Sequence, residues 1–291
     1  MSFRPLVPFV AAFALWFQSL SHSPLAADRI SLANLAKATH FHGIAVDPSD
    51  SSRLLLATHH GFYSVTMDGQ AVLLSDRKDD YMGFTVPAGT TGTLYASGHP
   101  ATGGNLGVMA STDGGKTWTQ IAVGLHGPVD FHQMDVSKAD PKVIYGMYGV
   151  LQVSRDGGKT WKMAGLEPHG LIDLAASSRS ANTLYAATRE GLIVSKDSGK
   201  TWSPAHPAPI IFTMVEAGFD GSLYAFAVGA GLMRALEGKL EWTVLNNTFG
   251  DRVFLHFAAD PRSPEKVYAA AQDNTVWASG DGGKTWNRMG G

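Results

Sequence analysis

Apolar residues along this chain gather in short runs separated by turn residues, without the sustained three-to-four spacing of amphipathic helices. Five of these runs share a tyrosine flanked by small or aliphatic side chains: Leu94–Ser97, Ile144–Met147, Leu184–Ala187, Leu223–Phe226 and Val267–Ala270. Arg53–Thr58, reading RLLLAT, fills the same slot nearer the start. Upstream of each lies a second strand-like run: His40–Val46, Asp80–Val86, Asp130–Val136, Gly170–Ala176, Ile210–Glu216 and Val253–Ala259. The pattern predicts six pairs of antiparallel strands, with the upstream run innermost in each unit.

An octapeptide sets the period. STDGGKTW at Ser111–Trp118 returns at Ser154–Trp161, Ser195–Trp202 and Ser279–Trp286, at spacings of 43, 41 and 84 residues. The last spacing is two periods, and Trp242 marks an eroded copy inside it. A unit of about 42 residues has the length of a four-stranded propeller blade. Six units follow, at 39–78, 79–126, 127–168, 169–208, 209–250 and 251–289, so the expected fold is an all-β, six-bladed β-propeller forming one domain over residues 28–291. Asp-Gly-Gly provides the positive φ and the local side-chain bonds that a hairpin turn needs, so the boxes are expected to build blades rather than perform chemistry.

Composition narrows the partners. With 44% apolar and 16% charged residues the chain must fold, and 33 glycines with 14 prolines suit many tight turns. A net charge of -2 offers no basic footprint for nucleic acid or a membrane surface. The absence of cysteine excludes disulfides, thiolate metal sites and thiol catalysis. Residues 1–27 carry Arg4, an apolar run Leu6–Phe17 too short to span a bilayer, and a small-residue end at Pro24–Ala27. They read as a cleaved signal peptide, placing the mature protein in the periplasm or outside the cell as a monomer. Ile30–Ala36 reads either as a linker or as a strand added to the last blade.

The octapeptide resembles the Asp-box, or BNR repeat, Ser-x-Asp-x-Gly-x-Thr-Trp. The resemblance implies that each box is the turn between the third and fourth strands of a blade, with its Asp bonded to turn backbone and its Trp packed between blades. More loosely, His42–Pro48 and Ala57–Gly61 resemble secreted BNR proteins catalogued as glycosyl hydrolases. A sialidase would place three arginines around a carboxylate, whereas the first strand here reads His40-Phe41-His42-Gly43 and only Arg77, Arg189 and Arg252 lie in suitable loops. Sialidase activity is therefore not expected. Asp80 and Asp130, with Glu190, remain candidates for two-carboxylate glycoside hydrolysis.

Candidate chemistry lies where the strands meet the axis. Strict alternation puts the first and third residues of each inner strand on one face. That predicts His40/His42, Asp80/Met82 and Asp130/His132 facing the channel in blades one to three, against only glycine and apolar residues in blades four to six. The exits of the second strands bring His59, His60, His99 and Met147 to the same sector. His256 is expected in the core, and His126, His169 and His206 in solvated loops. A lone imidazole on an inner strand is most simply a hydrogen-bonded wall residue, but this many in three adjacent blades read as a metal site. The expected ligands are His40, His42, His59, His60, Met82, His99, Asp130 and His132, with Asp80 or Asp130 either coordinating or orienting a histidine. Imidazole beside thioether without thiolate favours copper. The sequence thus supports an exported propeller binding copper for handling or redox chemistry, with a carbohydrate-binding or hydrolase-like propeller and a protein-assembly scaffold as the alternatives.

Overall fold

The structure is a computed structural model that describes residues 1–2 and 29–290. The export segment read at 1–27 lies, apart from its first two residues, outside the described residues. Among the described residues the chain forms six antiparallel sheets, each with four consecutive strands falling within one sequence unit. Each innermost strand packs against that of the next blade, and the sixth, Phe254–Ala259, meets the first, Phe41–Val46, to close the ring. The only helix among the described residues, Leu32–Ala38, is far too short to cross a membrane.

Ring closure departs from the sequence reading. Arg29–Ser31 pairs with Gln70–Leu73 and becomes a fifth, outer strand of blade one, not an addition to the last blade. The helix that follows buries Leu32 and Leu35 among Tyr268, Ala270, Val276 and Met289 of blade six and Leu54, Leu56 and Val65 of blade one. It wedges the junction instead of latching it by a shared sheet. Ser31 caps the helix by accepting from the Asn34 amide. Asn274 of blade six accepts from the Phe41 amide at 3.3 Å.

The Asp-box copies repeat one bonding pattern. In the second blade Asp113 accepts from the amides of Lys116 and Thr117 and from the Thr117 hydroxyl, while Ser111 Oγ accepts from the Gly115 amide. Gly115 lies at φ +90 beside Phe62, where a β-carbon would come within 2.3 Å of the ring. Trp118 then donates to the Gly115 carbonyl and packs on Phe62 and Tyr81, so one box closes its own turn and seals the interface between blades one and two.

These bonds have a pH signature. Asp156 is held down to about 2 by the Thr160 hydroxyl first, then by the Thr160 amide and Ser154; Asp197 is held down to about 2 in the same way by Thr201 and Ser195. A carboxylate whose folded value lies below its unfolded value stabilises the fold above the unfolded value and loses that contribution as pH falls toward the folded one. Asp156→Asn should therefore melt below the wild type at pH 5, and the gap should close as pH falls from about 4 to about 2. A gap of constant size across that range would exclude this origin.

Candidate metal centre

The innermost strands begin at one end of the ring, and the loops after the second strands return there. This common end is the mouth. Period-two alternation is broken along five of the six inner strands. In blades one, four, five and six a single residue (His42, Ile172, Thr213 or Leu255) has no partner across the ladder, and blade two has a register shift between Met82 and Thr85. Such a bulge adds one residue and reverses the faces beyond it. An axial cavity of about 530 Å³ is consequently lined not only by His42 and His132 but also by Asp173, Glu216 and His256. Blades four to six thus bring ionisable groups to the axis where only apolar ones were expected. His256 lines the channel instead of the core and donates through Nε2 to the Phe41 carbonyl at 3.1 Å. The fifth inner strand starts at Phe212, two residues later than read, and Phe212 is buried against Tyr185 and Met233.

Three residues from two blades form the first group: His42 on the bulge of blade one, His59 from the loop after its second strand, and Asp80 at the start of blade two. His59 Nδ1 donates to Asp80 Oδ2 at 2.6 Å, and the His42 and His59 rings meet edge to face at 4.3 Å. His42 Nε2 stands 3.5 Å from Asp80 Oδ1. Both atoms are buried and neither has a hydrogen-bond partner. Burial, then the crowding of His59, His256, His132 and His40, pushes His42 down to about 3, so its imidazole is neutral and available as a ligand at physiological pH.

His99, Asp130 and His132 form the second group. Asp130 Oδ2 accepts from His132 Nε2 at 2.7 Å and has His99 Nε2 2.9 Å away, while its Oδ1 is buried without a partner. His99 is oriented by its Nδ1, 2.8 Å from the Gly104 carbonyl. The hydrogen bond to Asp130 raises His132, with the Asp130 and Asp80 charges adding to it against burial. Gly98 is what lets the groups approach. It lies at φ +120, and a β-carbon there would sit 2.0 Å from the Asp80 carbonyl. Asp79 fixes the same corner by accepting from the Ala101 amide and pairing with Arg77.

The remaining candidates are spread around these groups. His40 lies outside the first group; it is exposed, 5.6 Å from the His59 ring, with Nδ1 3.2 Å from the Asn274 amide nitrogen. His60 is exposed at the rim, 6.2 Å from His59. Met82 is buried and pairs across the ladder with Ser97. Met147 packs with Leu151 and Leu174 in a blade interface rather than joining the mouth. His206 packs on Phe212 and Trp242, and His169 pairs with Glu190 on the surface. The first group depends on Asp80, which the sequence offered only as an alternative to Asp130.

The donor set fits a transition-metal ion. Metal–nitrogen and metal–oxygen bonds of about 2.0–2.2 Å put two ligands of one ion roughly 3.0–3.4 Å apart. The 3.5 Å between the unpartnered His42 and Asp80 atoms is close to that bite and too long for a good hydrogen bond. Each group offers two imidazoles and one carboxylate, an arrangement that leaves positions open for an exogenous ligand.

The far end of the cavity is different. Lys138 Nζ bonds Glu216 Oε1 at 3.0 Å and lies 3.9 Å from Asp135 Oδ2, which itself accepts from the Ala176 amide. Asp173 accepts from the Leu174 and Val215 amides, and burial pushes it up to about 8. The three loop arginines do not form a carboxylate clamp: Arg77 is paired with Asp79, and Arg252 lies over Trp277.

Comparison with known proteins places the architecture. The BNR/Asp-box repeat model matches residues 109–120 and 152–163. Among solved structures, the chain is similar to a GH74 enzyme of Niastella koreensis, with 17% identity, 86% of this chain and 45% of that chain covered, and a TM-score of 0.61. A GH74 xyloglucanase of Xanthomonas campestris gives 18% identity, coverage of 90% and 46%, and a TM-score of 0.58. YCF48 bound to a D1 peptide gives 19% identity, coverage of 92% and 86%, and a TM-score of 0.54. The chain spans less than half the length of the two GH74 proteins, and at these identities the likeness concerns the fold. No curated protein matches the chain by sequence.

Proposed function

We propose that this six-bladed propeller with BNR/Asp-box repeats is an exported metal-binding protein that holds a divalent transition metal, copper foremost, at its mouth through His42, His59 and Asp80. The observation that carries this reading is the pair of buried, unpartnered atoms, His42 Nε2 and Asp80 Oδ1, facing each other beside His59. Buried polar atoms without partners are costly, and a cation between them satisfies both. Nitrogen and oxygen donors bind copper(II) more tightly than the other divalent first-row ions, so copper leads even without the Met82 sulfur. His40 and His60 flank this group at the rim, and His99, Asp130 and His132 offer a second set of donors beside it.

Titrating metal-free protein with copper(II) or zinc(II) in a calorimeter tests the reading. The expected result is saturable binding reversed by chelator. At a free metal concentration about 100-fold above Kd, binding stabilises the fold by about 2.7 kcal/mol, which raises the melting temperature by about 5–10 °C. No heat and no shift with either ion would contradict it.

A second reading has its own support. Tyr148, Ile211 and Val228 expose 45%, 42% and 42% of their surface around the mouth of blades three and five, an apolar rim suited to a protein partner. The likeness to the peptide-bound YCF48 structure points the same way. A stable partner in pull-downs from protein unable to bind metal favours this assembly role. The hydrolase-like alternative rests on the GH74 likeness and is tested by binding and cleavage of polysaccharides.

A further inference from the structure

We propose that the mouth is a paired centre taking two divalent transition-metal ions side by side, one on His42, His59 and Asp80 and one on His99, Asp130 and His132, with a small oxyanion as their shared exogenous ligand. This inference rests on the metal-binding reading above and extends it. The two groups share no residue, and in each the donor atoms lie within 4.8 Å of one another. They are also joined by register. Asp80 of the first group and His99 of the second are direct partners in the blade-two ladder. Antiparallel partners stand about 4.5–5.5 Å apart at Cα.

The carboxylates make the same point atom by atom. Asp80 gives Oδ2 to His59 and leaves Oδ1 buried and unpartnered; Asp130 gives Oδ2 to His132, with His99 Nε2 2.9 Å from the same oxygen, and also leaves Oδ1 buried and unpartnered. One ion held by the first group satisfies His42 and Asp80 and leaves Asp130 Oδ1 orphaned. A second ion satisfies it. Neutral imidazoles carry no charge, so two divalent ions held by two carboxylates leave two positive charges in excess. The neighbouring Asp79 is already paired with Arg77, and Asp135 and Glu216 face Lys138. An anion entering from the mouth offsets that excess, and one with several oxygens can bind both ions at once.

The test uses the whole mature protein loaded with copper(II), elemental analysis, electron paramagnetic resonance and inorganic phosphate as the probe. Two ions per chain are expected, with the spectrum broadened by coupling between neighbouring copper ions. His132→Ala, at an exposed position, should bind one ion and give the spectrum of an isolated copper; Asp130→Asn should do the same. Phosphate should bind the doubly loaded protein at one per chain and bind the His132→Ala protein more than about 10-fold more weakly. One ion per wild-type chain, removed by His42→Ala and unaffected by His132→Ala, overturns the pairing and leaves the single-metal reading standing. No bound metal removes both. Two ions without coupling overturn the adjacency, and phosphate binding that is absent or independent of metal overturns the shared ligand.

Discussion

Replacing His42 with alanine is expected to weaken copper(II) binding at the first group by more than about 100-fold, about 2.7 kcal/mol, while leaving the metal-free fold at least as stable as the wild type. The two halves of this expectation come from one fact. His42 is fixed by a bulge on an inner strand and carries a buried nitrogen that nothing in the chain satisfies. In the metal-free fold its imidazole therefore contributes desolvation cost without a bond at that nitrogen, and on the metal-binding reading its removal should cost affinity but little structure. His60→Ala is the control: that ring is exposed at the rim and should change affinity little. Competition titration against a chelator of known affinity measures both variants. Equal loss in the two would mean that the rim rather than the buried nitrogen holds the ion.

Lys138→Met should destabilise the protein by about 3–5 kcal/mol at pH 7, the cost of stripping the partner from buried carboxylates. Lys138 has 7% of its side chain exposed and is the cation facing both Asp135 and Glu216, whose charges hold it ionised against the burial that opposes it. Glu216 is already pushed up to about 7, by burial first and by Asp135, against the Lys138 charge that lowers it. A carboxyl whose folded value is raised binds more protons folded than unfolded, so stability falls as pH rises from the ordinary carboxylate range through about 7. Removing Lys138 deepens that fall. The deficit of the variant relative to the wild type should therefore be large at pH 7 and shrink toward pH 5, and Lys138→Met with Glu216→Gln should recover much of it. Urea unfolding at the two pH values measures this. A deficit independent of pH would point to lost packing of the lysine stem instead.

The contrast between fold and site shows what a sequence repeat carries. The boxes were legible because their bonds are local: Ser, Asp, Gly, Thr and Trp within eight residues contact one another, so identity and spacing alone specify the turn. The blade boundaries followed from the period. The mouth was legible only in outline. That His42 and His59 would meet was implied by the common end of first strands and second-strand exits, whereas the pairing of His42 with Asp80 across blades depends on the bulge and on the close approach at Gly98. Those same bulges reversed the faces in blades four to six, hiding Asp173 and His256 from a strict period-two reading. Lys138 was invisible for another reason: it follows the inner strand by two residues in an ordinary-looking turn, and its ion-pair partner Glu216 belongs to a distant blade.

Anomalous X-ray diffraction at the copper edge, from crystals of copper-loaded protein, addresses the convergence of these side chains most directly. A peak about 2.0–2.2 Å from nitrogens of His42 and His59 and from a carboxylate oxygen of Asp80 is the expected result. A peak confined to the Asp-box carboxylates or to the surface pair His169 and Glu190, with the mouth filled by water alone, would contradict it.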